Sequence, residues 1–169
     1  MRKLIQILLI AVIVAYVPSK TFAQLPKALL FGNFTYASPQ GNFANSYNNG
    51  TGFEVGGGVG FGKTVLYAST GYINYNASNS GGVYFPNYKV VPVKIGLRRY
   101  LLLGLFLNGA VGVANQTYGS SSSSNFLYEA GAGFKMLGLF EVGAAYTGWT
   151  NNGSSLNALL LKAGLSIKL

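Results

Sequence analysis

The sequence contains no cysteine, no histidine and no aspartate, and its three acidic residues are the glutamates Glu54, Glu129 and Glu141. Without cysteine, the chain can form neither a disulfide framework nor a thiolate metal site. Without histidine and aspartate, it cannot build the Ser-His and Asp-His arrangements on which nucleophilic and acid–base catalysis commonly depends. The composition therefore predicts a protein that is not an enzyme and that has no metal or other cofactor.

Charge is also scarce. Charged residues make up 9% of the chain, whereas a soluble domain has about 25%. This shortage predicts that part of the surface does not face water. The twelve basic residues outnumber the three acidic ones, but they are scattered and form no run longer than Arg98-Arg99. The basic excess therefore does not indicate nucleic-acid binding.

The one long apolar run lies at the N-terminus. It extends from Leu4 to Val17, follows the basic pair Arg2-Lys3, and precedes Thr21-Phe22-Ala23, where small residues suit cleavage by a signal peptidase. These features predict a cleavable helical signal peptide at 1–23 and a mature barrel domain at 24–169. No later stretch has the roughly 18 consecutive apolar residues that a membrane-spanning helix requires.

The rest of the chain has a period of two, which is typical of β-strands. Eight such segments are separated alternately by short turns and by longer loops rich in Ser, Asn and Gly. The predicted strands are 27–37, 51–62, 64–77, 88–99, 101–114, 126–136, 139–149 and 156–169; the predicted turns are Lys63-Thr64, Arg99-Tyr100 and Leu137-Gly138; and the predicted loops are 38–50, 77–87, 115–125 and 150–155. This layout predicts an all-β fold, an eight-stranded antiparallel up-and-down transmembrane β-barrel.

The alternation also separates the two faces of each strand. In the fourth predicted strand, one face has Val91, Val93, Ile95 and Leu97, and the other has Pro92, Lys94, Gly96 and Arg98. An apolar face without charge suits lipid, and a polar, glycine-rich face suits the lumen. Lys89 and Arg99 have the lipid-facing parity and are ten residues apart, about 25 Å along the membrane normal. They are therefore expected at opposite membrane interfaces. A water-soluble, secreted ligand-binding barrel is the alternative fold-level reading.

Several charged residues have the parity of the lumen face. The predicted lumen charge network consists of Glu54, Lys94, Arg98, Glu129, Lys135, Glu141 and Lys162, and Lys168 shares their parity. Charges inside a narrow barrel need partners, because leaving one buried and alone costs several kcal/mol. Lys135 and Glu141 flank one turn and are expected to lie opposite each other, whereas the other pairings stay open. A structural salt-bridge network is the main interpretation, and an ion path is the alternative.

Residues 57–64, Gly-Gly-Val-Gly-Phe-Gly-Lys-Thr, match the phosphate-binding P-loop pattern G-x-x-x-x-G-K-[ST]. A P-loop opens a helix, but the residues after Thr64 favour a strand. The chain also has no aspartate to serve as the usual partner for magnesium. We therefore interpret these glycines as part of a strand and a turn.

Residues 34–44, Phe-Thr-Tyr-Ala-Ser-Pro-Gln-Gly-Asn-Phe-Ala, together with the glycine-rich strand that follows, resemble the first hairpin of small bacterial outer-membrane β-barrel proteins of the OmpX, OmpA and OmpW kind. Residues 91–100 and 109–114 resemble the central hairpin of that group. The resemblance implies a barrel in the bacterial outer membrane, in contact with outer-membrane lipid and inserted by the barrel assembly machinery.

Two functions are consistent with such a barrel. Eight strands enclose an interior just wide enough to be filled by side chains, which favours a non-enzymatic structural or surface-interaction role. A narrow channel or carrier for small hydrophobic or anionic solutes is the alternative, since the inward-facing cations outnumber the anions. The apolar outer face has no obvious polar weak point, which favours a monomer.

Overall fold

A computed structural model describes residues 26–78, 86–119, 121–151 and 154–169. The predicted signal peptide and its cleavage site lie outside the described residues. The strands are β1 (Lys27–Gln40), β2 (Tyr47–Phe61), β3 (Thr64–Ala77), β4 (Tyr88–Tyr100), β5 (Leu105–Tyr118), β6 (Ser121–Met136), β7 (Phe140–Asn151) and β8 (Ser154–Lys168), and a 3₁₀-helix (Gly41–Asn45) lies between β1 and β2.

Each strand pairs antiparallel with the next one, and β1 also pairs with β8, so that the sheet closes into a barrel. At this seam, Leu29 lies opposite Lys168 and Thr35 lies opposite Lys162. The short turns after β2, β4 and β6 lie at one end of the barrel, which we call the turn end. The opposite ends of the strands form the other end of the barrel, the loop end. The predicted eight-stranded antiparallel up-and-down barrel is confirmed.

Several strands extend further than the sequence predicts. The predicted loop 115–125 is largely a hairpin, because β5 continues to Tyr118 and β6 begins at Ser121. Its serines and asparagines are typical of loops, yet their backbone groups continue the antiparallel ladder, with Asn115 opposite Ser124 and Gln116 opposite Ser123. Strand pairing thus overrides the local preference of these residues.

One predicted turn was wrong. The reversal between β4 and β5 is not at Arg99-Tyr100 but at 101–104, where Leu103 and Gly104 have φ angles of 55° and 85°. Arg99 and Tyr100 instead complete β4 and pair with Leu107 and Phe106. A left-handed backbone is unfavourable for leucine, so the leucine-rich sequence gave no sign that the turn lay there.

The outer face of the barrel is apolar. In β4, Ile95 and Leu97 are 54% and 57% exposed, whereas the neighbouring Lys94 and Arg98 are buried inside. Exposed large apolar side chains occur on every strand, and this arrangement agrees with the predicted alternation. Among the described residues, no helix is long and apolar enough to cross a membrane.

The first connection, between β1 and β2, folds over the loop end and closes the lumen there. Its 3₁₀-helix, Gly41–Asn45, turns Phe43 inward so that only 2% of this residue is exposed. The ring of Phe43 packs edge-on against Tyr75, Tyr88 and Trp149, with centroids 4.9, 5.5 and 5.6 Å away. This aromatic cap occupies the lumen just inside the loop end. It could not be predicted from the sequence, because Phe43 lies in a polar stretch that is typical of a loop.

Candidate functional site

Four charged side chains meet at the middle of the lumen and form what we call the charge ring. It consists of Glu54 on β2, Lys94 on β4, Glu129 on β6 and Lys162 on β8. Every second strand contributes one member, and the sign of the charge alternates around the barrel. Because side chains of one parity on each strand point inward, residues distant in sequence meet in the barrel.

The ring is closed by four ion pairs. Lys94 Nζ lies 3.0 Å from Oε1 of Glu54 and 2.7 Å from Oε2 of Glu129. Lys162 Nζ lies 2.7 Å from Oε2 of Glu54 and 2.6 Å from Oε1 of Glu129. Each carboxylate therefore contacts one lysine through one of its oxygens and the other lysine through its second oxygen. The four formal charges sum to zero, and each charge has two partners of opposite sign.

Glycine makes room for the ring where strands approach closely. Gly112 on β5 lies opposite Lys94. A β-carbon at Gly112 would come within 2.0 Å of the carbonyl oxygen of Val93 and 2.8 Å of the Cα of Lys94. Only glycine fits this approach, so the glycine-rich inner face is needed for the packing around the charged side chains.

Arg98 and Glu141 form a second charged layer, nearer the turn end. Arg98 Nη1 donates to both oxygens of Glu141, at 2.8 and 3.1 Å. The guanidinium carbon also lies 4.4 Å from the ring centroid of Phe106 and 4.9 Å from that of Phe31. Aromatic faces attract a cation and exclude water around it, so this pair is held inside an apolar sleeve.

The two remaining inward lysines take other contacts. Lys135 lies opposite Glu141 in the β6–β7 register, but its Nζ donates to Oγ of Ser166 at 2.7 Å and to the Ser166 carbonyl oxygen at 3.0 Å. Ser166 in turn donates to Glu141 at 2.5 Å. The direct ion-pair partner of Glu141 is Arg98. Lys168 Nζ lies 3.2 Å from the ring centroid of Tyr100. Of the seven candidate residues, six thus form direct ion pairs, and Lys135 reaches Glu141 through a serine.

The lumen around these groups is nearly full. A cavity of about 30 Å³ lies between the charge ring and Arg98, and another of about 10 Å³ lies between the ring and Trp149. A buried water needs roughly 10–15 Å³, so the first space has room for about two waters and the second for about one at most. The part of the lumen that the structure describes contains no wide aqueous passage.

A wider recess opens at the loop end, above the aromatic cap. It has a volume of about 420 Å³. Its lining is uncharged and includes Asn42, Phe43, Tyr47, Tyr88, Gln116, Tyr118, Ser121, Ser122, Ser123 and Leu156. The Tyr47 and Tyr88 rings pack with their centroids 5.2 Å apart. The recess could not be predicted from the sequence, because its walls come from the first connection, the β5–β6 hairpin and the ends of β2, β4 and β8, which meet only when the barrel closes.

The P-loop match does not form a phosphate cradle. Residues 57–61 belong to β2, Gly62 and Lys63 make the turn, and Thr64 begins β3. Gly62 has a φ of 62°, so one glycine serves the turn and no helix follows it. The interpretation of this segment as strand and turn is confirmed, but the turn is Gly62-Lys63 and lies one residue before the predicted Lys63-Thr64.

The sequence matches no family model, and no curated protein matches it. Several solved structures are similar to it. Ail, the attachment invasion locus protein of Yersinia pestis, superposes with a TM-score of 0.58 at 16% identity, over 85% of this chain and 100% of that one. The chain has the fold of small bacterial outer-membrane barrels.

Neisserial surface protein A gives a TM-score of 0.54 at 11% identity, over 84% of this chain and 97% of that one. The N-terminal β-barrel domain of Pseudomonas aeruginosa OprF gives 0.51 at 15% identity, over 84% and 96%. Ail has also been solved in complex with the heparin analogue sucrose octasulfate, and that structure superposes with a TM-score of 0.59 at 17% identity over 85% of this chain and 100% of that one. At these identities the likeness shows the fold.

Proposed function

We propose that residues 24–169 form a non-enzymatic barrel of the bacterial outer membrane with a structural or surface-interaction role, exported by a signal peptide at 1–23 that is removed. The observation that carries the proposal is the combination of an apolar outer face with a lumen closed by the charge ring and the aromatic cap. A water-soluble barrel would reverse this arrangement, with polar side chains outside and apolar ones inside.

The outer face has the dimensions of a membrane-spanning band. Lys89 and Arg99 are exposed at the two ends of β4, and the outward side chains between them are Val91, Val93, Ile95 and Leu97. Ten residues of a tilted strand span about 25 Å of the membrane normal, the height of the apolar band in such barrels. The long side chains of the two cations can then reach opposite interfaces. With the turns toward the periplasm, the loop end faces the outside.

The closed lumen argues against a channel. Eight strands leave space for side chains alone, and here that space is occupied by paired charges and aromatic rings. A solute would have to break ion pairs in a site where each lone charge costs several kcal/mol. The alternative role, a narrow channel or carrier for small hydrophobic or anionic solutes, therefore requires the ring to open.

The loop end is suited to contact with uncharged partners. The segments 38–50, 78–87, 115–125 and 150–155, which include the strand ends there, contain no charged residue and are rich in Ser, Asn, Gly and Tyr. Protein surfaces of this composition combine rigid aromatic contacts with adaptable hydrogen bonding. Ail is known in complex with the heparin analogue sucrose octasulfate, but the uncharged segments at the loop end of this chain do not support the same ligand class. The recess of about 420 Å³ is the natural centre of such a contact.

Cell fractionation followed by gel electrophoresis tests the proposal. The protein should require detergent for its extraction from the outer-membrane fraction, and its band should shift when the sample is boiled, because a closed barrel resists the detergent until it is heated. A water-soluble protein whose band does not shift would contradict the proposal and favour a secreted ligand-binding barrel. The intact mass of the extracted protein tests the signal peptide, which should be absent, leaving a chain that begins at Gln24.

A further inference from the structure

The cations that have no partner in the charged layers are concentrated at one end of the barrel. Of the nine basic residues in 24–169, Lys94, Arg98 and Lys162 are paired inside. Five of the other six lie at the turn end, and only Lys89 lies toward the loop end. The five are Lys27, Lys63, Arg99, Lys135 and Lys168. All three glutamates are held in the lumen, and Glu141, the one nearest the turn end, is paired with Arg98.

Two of these cations border an apolar groove on the outer face. The groove has a volume of about 720 Å³ and lies between Lys63, in the turn after β2, and Arg99, at the end of β4. A backbone hydrogen bond connects the two sides of the groove: the Tyr100 N–H donates to the Lys63 carbonyl oxygen at 2.8 Å. Arg99 Nη1 donates to Thr64 Oγ1 at 2.9 Å, which holds its guanidinium beside the groove. The remaining lining residues are Tyr100, Leu101, Leu102, Leu103, Leu105 and Phe134.

The turn that borders the groove exposes leucine to an unusual degree. Leu103 is 90% exposed and has a φ of 55°, and Leu137, at the tip of the next turn, is 91% exposed with a φ of 50°. Both positions combine an exposed apolar side chain with a backbone conformation that leucine rarely adopts. Glycine or asparagine would suit these positions in water. Leucine therefore gives both turn tips exposed apolar side chains.

We propose that this groove binds an anionic phospholipid of the membrane leaflet that surrounds the turn end. Lys63 and Arg99 contact the headgroup phosphate, and Leu105 and Phe134 contact an acyl chain. The proposal rests on the proposed membrane location. Charge and shape both fit this ligand: two cations lie at the edge of an apolar surface, as a headgroup lies at the edge of its chains. A free phosphate would use only the two cations and leave the leucines in water.

The test uses purified, folded barrel in nanodiscs that contain phosphatidylcholine and phosphatidylglycerol, followed by native mass spectrometry of the lipids that the released protein retains. We expect phosphatidylglycerol to be enriched over phosphatidylcholine among the retained lipids. Equal retention of the two lipids by the unmodified protein would overturn the proposal. Assembly of the barrel in nanodiscs of phosphatidylcholine alone tests the proposed membrane location independently of the lipid site. If the barrel assembles there but does not enrich phosphatidylglycerol, only the lipid site is wrong.

Two variants locate the site. The variant with Lys63→Gln and Arg99→Gln should lose the enrichment by a factor on the order of tenfold or more, since each surface cation contributes appreciably to the attraction of an anionic lipid. Lys89→Gln, which removes an exposed cation from the same face at the opposite end, should retain it. Loss of the enrichment in both variants, or in neither, would overturn the assignment to this groove. The single variants Lys63→Gln and Arg99→Gln, each expected to lose part of the enrichment, apply the same test if the double variant does not fold.

Discussion

Lys94 and Glu129 are 35 residues apart in sequence and lie on strands that are separated by β5, yet Nζ of the lysine and Oε2 of the glutamate are 2.7 Å apart. The contact crosses the lumen and does not run between paired strands. Together with the matching contacts of Glu54 and Lys162, it connects all four even-numbered strands through their side chains. The charge ring thus links distant parts of the sheet, in addition to the backbone ladder that closes it.

Glu129→Gln tests the contribution of the ring to stability. The amide has the same shape but no charge, so each lysine of the ring loses one of its two anionic partners. We expect the free energy of unfolding to fall by about 3 kcal/mol or more, the range for breaking a buried ion pair, measured by urea titration of the barrel refolded in lipid vesicles. The control Lys89→Gln removes an exposed charge and should change it by no more than about 0.5 kcal/mol. Similar values for both variants would contradict a structural role of the ring.

A double-mutant cycle tests whether the ring acts as a unit. Lys94→Met combined with Glu129→Gln leaves Glu54 and Lys162 as an intact neutral pair. The double variant should therefore be less destabilised than the sum of the single variants, by about 0.5–3 kcal/mol. The cycle of Glu129→Gln with Lys89→Gln should be additive within about 0.5 kcal/mol. Additivity in both cycles would mean that the two ring residues do not interact in the folded barrel.

Arg98→Lys tests the second charged layer. Lysine keeps the charge but loses the planar guanidinium that contacts both oxygens of Glu141 and lies over Phe106. We expect a loss of about 1–3 kcal/mol in the free energy of unfolding. Arg99→Lys is the matched control, because Arg99 is the next residue on the same strand and faces outward. This substitution should be close to neutral. An equal effect of the two substitutions would contradict the packing described for Arg98.

Phe43→Ala tests the aromatic cap with a built-in probe. Trp149 is the only tryptophan of the chain and lies against Phe43, with centroids 5.6 Å apart. Removing the phenylalanine ring should admit water, shift the tryptophan fluorescence to longer wavelength and lower stability by about 3 kcal/mol. Phe126→Ala, on the exposed outer face, should leave the emission unchanged. An unshifted spectrum in Phe43→Ala would mean that the first connection does not cap the lumen.

Leu103→Asn tests the environment of the turn end. Asparagine tolerates a positive φ better than leucine does, so the substitution should be neutral or stabilising if this turn lies in water. If the turn lies against lipid, the loss of apolar contact should dominate, and we expect a destabilisation of about 1–2 kcal/mol in vesicles. Gly119→Asn is the control at the loop end, where φ is 58° and a β-carbon would lie 3.9 Å from the nearest atom, in Pro86. It should have little effect.

The sequence was enough to predict the number and order of the strands and which face of each is apolar, because both follow from an alternation that is local. Ile95 and Lys94 could be assigned to opposite faces from their parity alone. The extension of β5 and β6 through the serine-rich stretch could not be predicted, since serine and asparagine are typical of loops until a neighbouring strand supplies hydrogen-bond partners. The leucine turn at 101–104 was missed for the same kind of reason, because leucine rarely occupies a left-handed turn.

The candidate site was predictable only in part. Parity identified the residues whose side chains point inward. It could not identify which would meet, because the pairing of Glu54 with Lys162, 108 residues apart, depends on the closure of β1 on β8 and on the height of each residue in the barrel. It also could not show that Arg98 pairs with Glu141, or that Lys135 donates hydrogen bonds to Ser166. The recess at the loop end depends on the same long-range closure.

Planar bilayer recording of the purified barrel tests the central claim, a membrane barrel whose lumen is closed by the charge ring and the aromatic cap. Insertion is verified independently by protection of the bilayer-embedded barrel from added protease. The account predicts that inserted barrels remain electrically silent across a range of salt concentrations and voltages. Stable conductance steps from the inserted, unmodified protein would contradict the closed lumen and favour the narrow channel, with a preference for anions as its expected signature.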